Sequence, residues 1–141
     1  MGDVRLHHVN FHTALNTPVF EHDEYDMMMR GALGAAIEER QVLCVAWELM
    51  PTHVHLLIAE FEDLPRGTIL KHLKGDTSRA FFHRYPALRA DLLGGHLWAK
   101  GYSARRILDH RQYITTFRYI RNNRQGAGLP PPYPLELVGV E

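Results

Sequence analysis

The segment "QVLCVAWELMPTHVHLLIAEF", residues 41 to 61, decides how this chain folds. β-Branched and aromatic residues dominate both halves, and only Met50, Pro51 and Thr52 separate them, which leaves room for a tight turn and nothing longer. The segment predicts an antiparallel hairpin. Strand side chains alternate, so Val54, Leu56 and Ile58 share one face while His53 and His55 share the other. The apolar set belongs against a core. Both imidazoles then lie on the open face, their Cβ atoms about 6 to 7 Å apart, close enough to share one ion. Two solvent-facing histidines would give the same pattern, and two protein ligands leave a metal site incomplete.

Working outward, "VRLHHVNFHT" at residues 4 to 13 alternates loosely and ends at a turn signalled by Asn16 and Pro18, which predicts a first strand. From residue 21 to 40, Met28, Met29, Ala32, Leu33, Ala36 and Ile37 recur at helical spacing, and the methionines read as core filler. Residues 66 to 85 repeat that pattern with Ile69, Leu70, Leu73, Thr77, Ala80 and Phe81 on one face. "YPALRADLLGG" reads as a loop, and "HLWAKGYSARRI" as a short strand bent at Gly101. Asp109 is placed to N-cap a last helix running to about Arg124, before "GAGLPPPYP" stops it. The order β-α-β-β-α-β plus a helix is the split βαβ, ferredoxin-like arrangement, an α+β fold. Its crossover helices cover one face of an antiparallel sheet, and the added helix is free to pack on the other face or on a partner.

At 141 residues the chain is expected to form one domain with a core of its own, followed by a proline-rich surface tail at about 129–141. Sixteen basic residues balance sixteen acidic ones, so a nucleic-acid surface has to be a local patch. The single cysteine, Cys44, rules out an intramolecular disulfide and fits a reducing compartment. The N-terminus lacks the apolar stretch of a signal peptide, and no segment approaches the roughly 20 apolar residues of a membrane span. The expectation is a cytoplasmic protein without membrane attachment.

Helical residues are separated by about 100°, which sorts the side chains of "DHRQYITTFRYIRNNRQ". Gln112, Thr115, Thr116, Asn122 and Asn123 fall within about 60° of Tyr119, whereas Ile114 and Phe117 lie opposite. Tyr113, about 120° away, flanks the apolar side and reads as a packing residue. Asn123 is one turn beyond Tyr119, so a phenol and a carboxamide oxygen can approach one site together. An exposed polar face ending in asparagines accounts for the same residues.

Taken in order, "MPTHVHLLI", "LWAKGY" and "YIRNN" resemble the successive signatures of the single-tyrosine HUH transposases, in particular the REP-associated tyrosine transposases and their insertion-sequence relatives. The resemblance runs from the first strand through the last helix. It implies a ferredoxin-like, usually dimeric protein that cuts and rejoins single-stranded DNA near hairpins through a 5′-phosphotyrosine. It also implies His53, His55 and Asn123 as ligands of a divalent metal, Mg²⁺ or Mn²⁺, and Tyr119 as the nucleophile. Relatives of the REP type often read Asn-Pro where this chain has Asn123 and Arg124, and the first strand is less basic than theirs. The histidine-triad nucleotide hydrolases are a weaker match, because their third histidine is Leu57 here. Lys71, Lys74, Lys100, Arg105 and Arg106 are the candidate phosphate contacts, with Trp98 and Tyr102 as candidate base-stacking rings. A domesticated relative that binds hairpin DNA without cleaving it is the alternative reading.

Overall fold

The computed structural model describes residues 4 to 126; the proline-rich tail lies outside the described residues. The elements run β1 (Arg5–His12), α1 (Asp23–Glu39), β2 (Cys44–Leu49), β3 (His53–Glu60), α2 (Arg66–Arg84), α3 (Leu88–Asp91), β4 (Ser103–Arg106), α4 (His110–Arg121) and α5 (Asn123–Gly126). The four strands form one antiparallel sheet in the order β2-β3-β1-β4. The predicted β-α-β-β-α-β order and the added C-terminal helix are therefore present. Pro51 and Thr52 make the hairpin turn, closed by the Met50 amide donating to the His53 carbonyl at 2.7 Å.

The alternation of β3 sets the layers. Val54, Leu56 and Ile58 are fully buried with Val9 and Phe11 of β1, Met29 and Leu33 of α1, and Ile69, Leu70, Leu73 and Phe81 of α2. On the other face, Leu57 packs with Ala46 and Ile120, flanked by Val45, Ile107, Tyr113 and Phe117. The last helix therefore lies on the second face of its own sheet. Asp109 caps it, Oδ1 accepting from the Gln112 amide at 2.8 Å, an interaction worth about 1 kcal/mol.

Three expectations need correction. The predicted loop contains the single turn α3, closed by the Leu88 amide donating to Tyr85 and Arg89 to Pro86. The fourth strand is only four residues, because Gly101 at φ +79° turns the chain and Trp98 makes only an isolated bridge to Thr13. The last helix does not run unbroken to Arg124. α4 ends at Arg121, Asn122 leaves helical geometry at ψ 8°, and α5 begins at Asn123. The break at Asn122 thus separates Asn123 from the helix that carries Tyr119.

Candidate active site

Register brings a row of imidazoles together on the α4 side of the sheet. β1 and β3 pair His8 with Leu57, Asn10 with His55 and His12 with His53, so every second residue of β1 joins the histidine face. His53 Nε2 and His55 Nε2 converge to 3.1 Å. Each outer nitrogen is also engaged: His55 Nδ1 with His8 Nε2 at 3.0 Å, and His53 Nδ1 with Thr52 Oγ1 at 3.0 Å. The His12 and His53 rings lie 5.3 Å apart.

Tyr119 stands over this row. Its ring meets His55 edge-on at a centroid distance of 5.4 Å and His8 at 6.0 Å. Tyr119 is 52% exposed and His55 only 6%, so the phenol is open to solvent while the imidazole beneath it is not. Tyr113 instead packs against the small apolar cluster under α4, which is the division of roles that helical periodicity predicts. Between α4 and strands β1 and β4 runs a cleft of about 480 Å³ whose walls include His8, Asn10, His55, Arg105, Thr116 and Tyr119. Asn10 Oδ1 on this wall is buried without a hydrogen-bond partner, a free acceptor beside the histidines.

Burial decides the charge of the row. It pushes His55 down to about 3, with the neighbouring His53, His8 and His12 adding to the effect. His53 is lowered by burial and then by His12, and His8 by burial and then by Arg105. All three rings are therefore neutral at pH 7, the form in which an imidazole nitrogen has a lone pair to offer a metal. Two nitrogens bound at right angles to one ion, each about 2.1 Å from it, are about 3.0 Å apart, so the observed separation suits a shared cation. Among the described residues no group of three His, Cys, Asp or Glu side chains is placed to hold a metal ion. Asn123 is half-buried at the start of α5 and makes no hydrogen bond to either imidazole.

A family model described as "Transposase IS200 like" matches residues 4–123. The chain belongs to the IS200-like transposase family. It is 40% identical over 58 residues to the ISDra2 transposase TnpA of Deinococcus radiodurans, a match covering 41% of this chain and 41% of that protein, less than half of the relative's length. A putative transposase from Deinococcus radiodurans has a similar structure, with a TM-score of 0.65 and 26% identity over 83% of this chain and 88% of that one. A REP-associated tyrosine transposase bound to a REP hairpin shares the fold at a TM-score of 0.65 and 17% identity, covering 89% of this chain and 70% of that chain.

Within this member of the family the five candidate cations separate. Arg105 lines the cleft beside His8. Lys100 is exposed in the loop before β4, and Arg106 is exposed on β4, paired in register with His7. Lys71 is exposed on α2, across the sheet from the histidines. Lys74 has an internal role: its Nζ donates to the carbonyls of Ala99 at 2.7 Å and Gly101 at 2.8 Å, pinning the loop before β4. Trp98 is a core residue against Phe11 and Phe20, its indole N–H donating to Thr77 Oγ1 at 3.0 Å, whereas Tyr102 is exposed.

His8 and Thr52 are site residues that sequence reasoning missed. The signal was present in "HHVNFH", because Val9 and Phe11 pointing inward puts His8, Asn10 and His12 on the histidine face. Pairing β1 beside β3 was the missing step. Among the described residues no helix is long and apolar enough to cross a membrane.

Proposed function

We propose that the chain is a single-stranded DNA endonuclease and strand transferase, built on a ferredoxin-like domain, in which Tyr119 is the nucleophile and His53, His55 and Asn123 hold a divalent cation. The observation that carries this reading is the Tyr119 ring set 5.4 Å from His55, on the face where the two imidazole nitrogens converge. Tyr119 Oη attacks the phosphorus, the phenol proton leaves to solvent, and the bond from phosphorus to the 3′-oxygen breaks. The products are a 5′-phosphotyrosine and a 3′-hydroxyl that has taken up a proton. Attack by another 3′-hydroxyl reverses the step, restores the phenol and joins the new strand. A phenol, with a reference pKa of about 10, is both a usable nucleophile and a usable leaving group, as this reversal requires.

Mg²⁺ or Mn²⁺ suits two imidazoles and a carboxamide oxygen, and when bound would neutralise a nonbridging phosphate oxygen and the departing 3′-oxygen. For His53 and His55 to offer Nε2, each carries its proton on Nδ1 and donates it outward, His53 to Thr52 and His55 to His8. Thr52 and His8 thus select the tautomers. Arg105 attracts the phosphate backbone into the cleft, and Lys71, Lys100 and Arg106 extend the contact. For Lys74, phosphate binding would compete with its two carbonyl bonds. The proposed partner is hairpin-bearing single-stranded DNA, and the proposed assembly a homodimer.

The test uses labelled single-stranded oligonucleotides tiling the flanks of the gene, hairpins included, with MnCl₂ and a denaturing gel. Wild type and Tyr113→Phe form a covalent adduct; Tyr119→Phe forms none. His53→Ala and His55→Ala lower the adduct by about a hundredfold or more while retaining DNA binding. Binding of hairpins by wild type with no adduct on any oligonucleotide would favour the non-cleaving reading.

A further inference from the structure

A second set of charged groups lies outside the cleft, along the edge strand β2, and the proposed reaction does not use it. Asp26 and Arg30 come from α1, Glu48 from β2 and Arg124 from α5, and all four are buried, between 1% and 8% exposed. Arg30 Nε donates to Asp26 Oδ1 at 2.5 Å, and its Nη2 lies 2.8 Å from Glu48 Oε2. Arg124 Nη1 donates to Asp26 Oδ2 at 3.3 Å and to the Leu49 carbonyl at 3.1 Å, and Arg30 Nη2 donates to the same carbonyl at 3.1 Å. Glu48 Oε2 also accepts from the Leu49 amide at 2.8 Å. Two carboxylates and two guanidiniums therefore balance, and the edge of β2 gains partners for both backbone groups of Leu49.

The position of this cluster links it to the site. Glu48 stands directly across from His55 in the β2–β3 register, and Arg124 follows Asn123 one turn beyond Tyr119. The apolar grip of α4 on the sheet is small, since Ile120 is its one fully buried side chain. At the start of α4, the helix is joined to β4 by residues 107 to 109. At its end, Arg124 is the charged tie to α1 and β2.

We infer that Arg124 is a positioning residue. Its buried ion pair with Asp26 fixes the end of the Tyr119 helix on the chain's own sheet, holding Tyr119 over the same chain's His8 and His55. The catalytic consequence rests on the proposed function above, whereas the anchoring does not. Without Arg124, Asp26 keeps one cation, the Leu49 carbonyl keeps one donor, and the segment after Arg121 is released from α1.

Hydrogen exchange and adduct formation on the full chain separate the two claims. Arg124→Met raises amide exchange across residues 110 to 126 by about tenfold and leaves β1 and β3 protected. At saturating oligonucleotide its adduct rate falls about 10- to 100-fold with DNA affinity unchanged, because a misplaced nucleophile costs rate rather than binding. Arg124→Lys recovers part of the rate, since an ammonium can still reach one acceptor. If Arg124→Met fails to fold, Asp26→Asn keeps the shape, removes the charge and gives the same confined rise in exchange. Unchanged exchange over residues 110 to 126, or a rise spread over the whole sheet, overturns the anchor. A wild-type adduct rate retained in Arg124→Met overturns the positioning. A wild type that forms no adduct refutes the proposed function instead, and exchange still decides the anchor. Mixing Tyr119→Phe with His55→Ala chains restores no adduct; restoration would overturn the same-chain arrangement.

Discussion

On one face of the sheet Val54, Leu56 and Ile58 press into α1 and α2 with side chains that are all fully buried; on the other, His53 and His55 lie beneath a helix whose one fully buried side chain is Ile120. Both faces come from the same eight-residue strand, with alternation alone dividing them. The first face stabilises the fold by removing apolar area from water, at about 25 cal/mol per Å². The second gives up much of that gain. Its imidazoles are desolvated beside one another, which holds them neutral, and Nε2 of His53 and Nε2 of His55 converge to 3.1 Å. Stability and the proposed chemistry thereby fall on opposite sides of one strand, and substitutions on the two sides should fail in different ways.

The largest separation is expected from Leu73→Ala, which empties a fully buried position on the helix-clad face. It should cost about 2 to 5 kcal/mol in urea unfolding, while the adduct rate per folded molecule stays at the wild-type value. An adduct rate lost in proportion to more than the folded fraction would join the two faces energetically.

His8→Ala sharpens the comparison from the other side. It removes the ring nitrogen that meets His55 Nδ1 at 3.0 Å, and should weaken Mn²⁺ binding about 10- to 100-fold with little change in unfolding free energy. Titration followed by electron paramagnetic resonance reads the affinity without relying on catalysis. Unchanged affinity would confine His8 to packing.

The smallest effect concerns pH. His55 is depressed from 6.5 to about 3 in the folded chain, so between those values the unfolded chain binds more protons. Its contribution to stability is complete above pH 6.5 and is lost as pH falls. In EDTA, lowering the pH from 6.5 to 5.5 should cost about 1 kcal/mol through this residue, because the unfolded imidazole is already half protonated at the start. His55→Gln should flatten that slope; an unaltered slope would show that burial of His55 is not what keeps it neutral.

Much of this division was legible in the sequence. Alternation in "THVHLLIAEF" assigned His53 and His55 to one face, and helical periodicity separated an exposed Tyr119 from a packing Tyr113, because both patterns are local. What the sequence concealed depends on pairing between distant segments. His8 meets His55 only because β1 lies beside β3, and Lys74 is occupied only because the loop at Ala99 and Gly101 folds over α2. The break at Asn122 was likewise invisible to periodicity. It belongs with Arg124 turning into a buried cluster formed by α1 and β2, 98 residues away from Asp26 in sequence.

Peptide mapping of the covalent product tests the central claim most directly. After nuclease and protease digestion of wild type trapped on labelled single-stranded DNA, the account predicts a 5′-phosphonucleotide on Tyr119. A nucleotide on Tyr113, on a histidine, or on any other side chain would contradict it.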